Sequence, residues 1–306
     1  MTFSCEIVDA VENRNRKRKL RALRSISKKV SSPSHFVSPG ENIDGIDVRD
    51  DFLKGHGTQV SEGYLRATVS GVVERVNKLV SVKTFMAKYT PEAGDVVIGR
   101  ITEISGKRWK VDINSRLEAI LQLSSVNLPS GQQRRRNEAD ELNMSALFDS
   151  SDVISAEVQS IFQDGTANLH ARSHKYGKLS QGVLIEICPA LVKRLPQHFH
   201  ALEVSSETYV EVLLGCNGFI WVGAQGAATS NAKPYEDKLV EIEKSKRENI
   251  VRVANSIRLL AKLFFQVTPT SIMGVFNVSS GMEAKEILTS DSFIARVIDS
   301  EIDARS

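Results

Sequence analysis

The sequence predicts a mainly β protein with an α+β C-terminal part. Between residues 94 and 173, short segments of alternating apolar and polar residues are separated by Gly and Asp turns, a pattern typical of a small closed barrel. Further along, residues 239–265 carry apolar side chains at helical spacing. A chain of 306 residues is too long for one small barrel, so we expect two or three folded domains.

The domain boundaries follow from changes in composition. A basic, flexible N-terminal segment is expected at 1–40, because its last ten residues, SSPSHFVSPG, are rich in residues that break regular structure. A β-rich N-terminal domain follows at 41–93. The barrel occupies 94–173, and a mixed unit with C-terminal helices occupies 174–306.

The basic segment contains a dense run of cationic residues. Residues 14–29 include nine Lys or Arg and no acid, whereas the formal net charge of the whole chain is only +3. Such a run is a candidate for phosphate binding, nucleolar retention or nuclear import. A solvated, mobile tail explains the same composition equally well.

The barrel segment divides into five strands. One long excursion, NLPSGQQRRRNEADELNMSALF, separates the third strand from the fourth and is partly helical by its apolar spacing. Five strands with this arrangement predict an OB-fold. The predicted strands are 96–104, 108–113, 118–123, 152–162 and 166–171.

Cationic side chains in and around the barrel are interleaved with aromatic ones, which favours single-stranded RNA as a ligand. Cations hold phosphates, and flat side chains stack on bases. Because Trp109 and Val111 share a strand face, Trp109 could instead pack inward while Lys110 is solvated. The candidate RNA-binding residues are Lys107, Arg108, Trp109, Lys110, Arg134, Arg135, Arg136, Arg172 and Lys175.

The arginine triplet at 134–136 has more than one interpretation. It could neutralise phosphates. It could also contact an acidic protein surface, or pair with Asp140 and Glu141 one turn further on. We weigh RNA contact and protein contact equally.

Other chemistry is not indicated. Three scattered cysteines form no C-x-x-C pair and suit a reducing compartment. His198 and His200 have no further ligands nearby in sequence, and the carboxylates are dispersed rather than clustered for metal-assisted hydrolysis. We therefore expect no metal, no cofactor and no catalytic residues. No apolar run reaches the length of a membrane span, so we expect a soluble, intracellular protein without a membrane partner.

Seven motifs occur in one order along residues 51–222: FLKGHGT, GVVERVNKLV, GDVVIGRITEI, RRR followed by DELNM, ARSHKYGKL, LVKR with HFH, and GCNGFIWVG. In this combination the chain resembles the RNA-exosome cap subunit family known as ribosomal RNA-processing protein four. The resemblance implies an N-terminal β domain, an OB-fold of the S1 type and a KH-like domain.

The resemblance also implies a role. Members sit with other cap subunits on a hexameric ring of RNase-PH-like subunits and guide single-stranded RNA into its channel, without nuclease chemistry of their own. It implies rRNA processing and RNA degradation, in the nucleus and nucleolus and also in the cytoplasm. Two alternatives stay open: a free-standing OB/KH regulator, and a ribonuclease in its own right.

The KH-like domain departs from the RNA-clamping pattern at its G-x-x-G loop, which consists of Gly215, Cys216, Asn217 and Gly218. KH domains use such a loop to hold the nucleic-acid backbone. Here the two central positions carry no cation, and Asn-Gly lies between two β-like runs, which predicts a tight hairpin. We expect this loop to have a structural role.

Overall fold

The computed structural model describes residues 36–47, 52–84, 88–127, 137–173, 175–205, 208–224 and 242–303. Within this part, the mainly β prediction is confirmed, and most helical residues lie near the C-terminus. The contacts divide it into two compact units. One holds the N-terminal strands and the last helix, and the other holds the barrel and the sheet that follows it. The basic run at 14–29 lies outside the described residues.

The N-terminal unit contains two small, mostly antiparallel sheets, whose strand orders are β1-β6-β7-β3 and β2-β5-β4. Phe36 pairs with Val72, so the first sheet begins before the predicted domain boundary at residue 40. Val37, Leu65 and Val80 are among the buried apolar residues between the strands. The strands are β1 (Phe36–Val37), β2 (Asn42–Asp47), β3 (Leu53–Lys54), β4 (Thr58–Ser61), β5 (Tyr64–Ala67), β6 (Gly71–Val76) and β7 (Leu79–Thr84).

The second unit begins with the predicted five-stranded barrel. Its strands follow the order β12-β10-β9-β8-β11, and pairing of β11 with β12 closes the barrel. A short strand, β13 (Gly177–Lys178), adds to the outside of β11. The barrel strands are β8 (Val96–Ser105), β9 (Arg108–Asp112), β10 (Ala119–Val126), β11 (Val153–Ile161) and β12 (Ala167–Ala171).

The excursion between β10 and β11 is helical in its second half, as predicted. Helix α1 (Glu138–Leu142) starts with a capping box between Asn137 and Asp140, and α2 (Met144–Leu147) follows at once. Met144 and Phe148 are buried in the barrel core, which anchors the excursion to the barrel.

The KH-like part contains a four-stranded antiparallel sheet ordered β14-β17-β16-β15, with helix α3 packed against β14 and β17. A 3-10 turn forms at Pro189–Leu191 and ends there, because Val192 is already extended. The strands are β14 (Gly182–Glu186), β15 (Phe199–Ser205), β16 (Thr208–Leu214) and β17 (Phe219–Ala224). The helices of this unit are α3 (Lys244–Lys262) and α4 (Pro269–Val278), whereas α5 (Asp291–Asp303) is the last helix, which belongs to the first unit.

Candidate nucleic-acid interface

The cationic face of the barrel lies on β9 and its neighbours. Arg108 is exposed and Lys110 half-buried, while the residues between and after them point into the core. In the antiparallel pairing, Arg108 stands opposite Gln122 and Lys110 stands opposite Ile120. Directly opposed residues share a face of the sheet. The outward surface therefore combines two cations with an amide and one aliphatic side chain.

Trp109 does not belong to this surface, so its predicted contact with RNA is wrong. Its side chain is 0% exposed and lies in the barrel core. The ring packs edge-on against Phe148, with centroids 5.4 Å apart, and Nε1–H donates to the Phe148 carbonyl oxygen at 3.1 Å. Strand alternation decides this, because Trp109 lies between two outward-facing cations and must point inward.

Tyr176, the aromatic residue that follows Lys175 in the sequence, is also engaged within the protein. Its hydroxyl donates to the Glu157 carboxylate at 2.8 Å, and its ring packs against His170 and Phe199. Burial, together with Glu157, raises the pKa of the Tyr176 phenol above its ordinary value. The barrel face therefore offers charges and polar groups, and neither of these two rings is placed to stack on a base.

Two of the predicted RNA-binding lysines form ion pairs at the surface. Lys107 Nζ lies 2.5 Å from a carboxylate oxygen of Glu141, and Lys110 Nζ lies 2.6 Å from one of Glu103. The contact with Glu103 raises the pKa of Lys110, and the same contact lowers the pKa of Glu103. Exposed pairs of this kind contribute little to stability, so a phosphate can displace the carboxylate at small cost.

The remaining predicted cations are distributed differently. Arg172 and Lys175 are exposed just after β12, where the Arg172 carbonyl oxygen accepts a hydrogen bond from the Asn127 side chain. Arg134, Arg135 and Arg136 lie outside the described residues. The structure thus brings Lys107, Arg108 and Lys110 together on the β8–β9 hairpin.

The Gly215–Gly218 loop forms the predicted hairpin turn between β16 and β17. Its tip docks on the barrel, because the Cys216 amide donates to the Val96 carbonyl at 2.9 Å. Asn217 is fully buried, and its side-chain amide donates to the Ile98 carbonyl at 2.7 Å and the Ile113 carbonyl at 2.9 Å. The loop is a joint between the barrel and the KH-like sheet.

A second part of this joint is a charge cluster that sequence reasoning missed. Arg194, from the loop before β15, lies 3.0 Å from the buried carboxylate of Asp95 and also pairs with Glu92. The Tyr89 hydroxyl donates to the Asp95 carboxylate at 2.5 Å. Burial is the largest cause that raises the pKa of the Tyr89 phenol above its ordinary value, and this hydrogen bond is the next largest. The sequence does contain one indication of this cluster, because Asp95 comes directly before the apolar run of β8. A carboxylate that is buried beside such a strand requires a hydrogen-bonding or cationic partner.

Cys216 and His198, which lie in this joint, have internal partners. His198 Nδ1 lies 2.7 Å from the Leu214 carbonyl oxygen, and its Nε2 lies 3.8 Å from the Cys216 sulfur. Burial raises the pKa of the Cys216 thiol to about 11, so the thiol is protonated at neutral pH. Among the described residues, no three His, Cys, Asp or Glu side chains are grouped to hold a metal ion.

Comparison with known proteins agrees with this architecture. Residues 36–76 match the family described as Exosome complex exonuclease RRP4 N-terminal region, residues 88–160 match RRP4, S1 domain, and residues 182–227 match KH domain. The chain is 45% identical over 258 residues to Exosome complex component RRP4 of Mus musculus, covering 84% of this chain and 86% of that protein. This chain belongs to the RRP4 family.

Other RRP4 proteins show the same extent of similarity. The Bos taurus protein is 46% identical over 258 residues, covering 84% of this chain and 86% of its own length. The Arabidopsis thaliana homolog is 42% identical over 280 residues, covering 86% of this chain and 84% of its own length. Within the described part of this RRP4-family chain, no helix is long and apolar enough to cross a membrane.

Proposed function

We propose that this chain is a non-catalytic, RNA-binding subunit of the exosome cap. In this role it helps to assemble the complex on a ring of RNase-PH-like subunits, beside other cap subunits. It guides single-stranded RNA towards the channel for 3′-to-5′ processing and degradation, including rRNA processing. The observation that carries the proposal is membership of the RRP4 family over 84% of the chain.

The barrel surface supports the RNA-binding part of the proposal. Lys107, Arg108 and Lys110 project from one hairpin, and the aromatic residue between them is buried. A surface of this composition binds the sugar-phosphate backbone and carries little base specificity. Such a surface suits a protein that must pass RNA of any sequence.

Affinity purification of the full-length chain at high salt tests the assembly part. High salt weakens contacts that run through RNA phosphates, so RNA-bridged proteins are lost and protein-bridged ones remain. We expect RNase-PH-like subunits to co-purify in stoichiometric amounts. A chain recovered alone under these conditions contradicts the proposal and favours a free-standing RNA-binding regulator.

A separate experiment tests the absence of catalysis. The pure chain is incubated with labelled single-stranded RNA and either Mg²⁺ or phosphate. We expect the RNA to remain intact. Processive cleavage that persists after removal of contaminating ring subunits would establish a nuclease instead.

We place the chain in the nucleus and nucleolus and also in the cytoplasm, where an exosome subunit that acts in rRNA processing and RNA turnover is needed. Imaging of the tagged full-length chain tests this. Exclusion from the nucleus contradicts the placement.

A further inference from the structure

A cleft of about 320 Å³ opens beside the β8–β9 turn. It lies between that turn, the outward face of β10 and helix α1 of the excursion. Its walls carry two cations, one carboxylate, an amide and a hydroxyl, which is the chemistry of a site for a phosphate flanked by polar groups. The lining residues are Lys107, Arg108, Gln122, Leu123, Ser124 and Glu141.

The cationic wall of the cleft is held in place by backbone contacts. The Leu123 amide donates to the Lys107 carbonyl at 3.0 Å, which ties the turn to β10. Arg108 follows within β9, where it stands opposite Gln122. The backbone that carries both cationic side chains is therefore held in place. The Lys107 side chain itself extends into solvent, with 74% of it exposed.

The acidic wall is held in place by the barrel core. Glu141 lies on α1, which is followed directly by α2 and the buried side chains of Met144 and Phe148. The Trp109 indole donates to the Phe148 carbonyl and fixes the end of this helical segment. The Glu141 carboxylate is thereby presented to Lys107, at 2.5 Å from its ammonium group.

The geometry points to two linked roles, which rest on the proposed RNA-binding function. We infer that the cleft binds a phosphodiester group of single-stranded RNA through Lys107 and Arg108. We also infer that Glu141 is a built-in anionic competitor, because its carboxylate neutralises the ammonium group that the phosphate requires. An incoming phosphate must displace Glu141 from Lys107, so Glu141 lowers the affinity of the site for RNA.

The other lysine pair on this hairpin has a different geometry. Glu103 and Lys110 are paired across adjacent strands β8 and β9, and neither lines the cleft. Their ion pair lies on the sheet surface, outside the cleft. Within the cleft, the competing carboxylate is therefore that of Glu141, whose helix faces the turn from outside the sheet.

Binding of a labelled oligouridylate to the full-length chain tests the inference. We expect Glu141→Gln to tighten binding about two- to fivefold at low salt, since an exposed ion pair of this kind is worth up to about 1 kcal/mol. Glu138→Gln is the matched control, because it removes the same charge from the same helix at an exposed position that does not line the cleft. Equal tightening in both variants overturns the inference, because it indicates a general effect of net charge.

The double variant Lys107→Ala/Glu141→Gln distinguishes competition from other effects of Glu141. Without Lys107 there is nothing for Glu141 to neutralise, so the double variant should bind RNA no more tightly than Lys107→Ala alone. Tightening that persists in the Lys107→Ala background overturns the inference.

The proposed function can fail separately. If Lys107→Ala and Arg108→Ala leave RNA affinity unchanged while the chain still binds RNA, the cleft inference is wrong and the RNA-binding proposal stands. If the unaltered chain and its assembled complex both fail to bind the probe, the RNA-binding proposal itself is wrong.

Discussion

Two hairpin turns of the second unit each contain a glycine with positive φ, but their surroundings differ. The β8–β9 turn contains Gly106 at φ +59°, and the β16–β17 turn contains Gly218 at φ +84°. A Cβ atom on Gly106 would meet nothing within 4 Å. On Gly218 it would lie 2.4 Å from the Ile187 carbonyl oxygen and 3.0 Å from the Pro189 nitrogen.

The residues beside each glycine differ in burial in the same way. Next to Gly106, the chain exposes Lys107 and Arg108. Next to Gly218, Asn217 is completely buried and donates to two carbonyl groups of the barrel. A tight turn with a left-handed glycine can therefore present charges to a ligand or join two domains, depending on what packs over it.

The largest expected effect comes from adding one carbon atom to each glycine. Gly218→Ala should lower the free energy of unfolding by more than about 3 kcal/mol, because the strain of positive φ adds to a backbone clash. That clash also threatens the hydrogen bond from the Ile187 amide to the Gly218 carbonyl. Gly106→Ala, the matched control, should cost about 1 kcal/mol from strain alone. Denaturant unfolding followed by tryptophan fluorescence measures both, and equal losses would contradict the difference between the turns.

The next effect concerns the joint itself. Asn217→Ala should cost about 3 kcal/mol, since it leaves the carbonyls of Ile98 and Ile113 buried without their donor. Gln122→Ala, on the exposed barrel face, should change stability by less than about 0.5 kcal/mol. RNA affinity of correctly folded Asn217→Ala should equal that of the unaltered chain. Selective loss of RNA binding at unchanged stability would show that this loop clamps RNA.

A moderate effect is expected from Trp109→Phe. The substitution removes the donor to the Phe148 carbonyl and leaves a small cavity, at a cost of about 2 kcal/mol. Trp221, the other tryptophan, is buried in the KH-like sheet and reports unfolding of the variant. RNA affinity should be preserved once the folded fraction is taken into account. If fully folded Trp109→Phe lost RNA affinity, Trp109 would contribute to RNA binding after all.

The smallest effect on folding comes from the exposed turn. Changing Lys107, Arg108 and Lys110 together to Ala should leave the stability of the fold nearly unchanged, because the ion pairs lost are exposed. RNA binding by the assembled complex should weaken. The slope of log K against log salt concentration should become shallower by about 0.7 for each lost phosphate contact with single-stranded RNA. Assembly should be unaffected. An unchanged slope in a folded variant excludes this face from RNA contact.

Much of the fold was predictable from local patterns. Alternation of apolar and polar residues identified the five barrel strands, and Asn217-Gly218 predicted the hairpin that the structure contains. The helical character of residues around Met144 was also evident from apolar spacing. These features are local, because strand alternation and turn conformation depend on residues close together in the chain.

The candidate site was predicted less completely. Lys107, Arg108 and Lys110 were identified by charge, but Trp109 was assigned to RNA although its position between outward-facing cations required the opposite face. The partners of the cations could not be predicted. Lys107 meets Glu141 only because the excursion folds back and is anchored in the barrel core.

By itself, the sequence determined the order of domains, the strands of the barrel, the hairpin at Asn217-Gly218 and the family to which the chain belongs, because motifs and periodicity are properties of the chain. Tertiary structure alone decided that Asp95 meets Arg194 across 99 residues of sequence, and that one turn is buried while the other is exposed. The physical reason is that burial depends on which elements pack together. A charged or polar side chain that stays exposed can bind a ligand, whereas one that is buried must pair with groups inside the protein. Which of the two applies depends on the neighbours that folding brings to it.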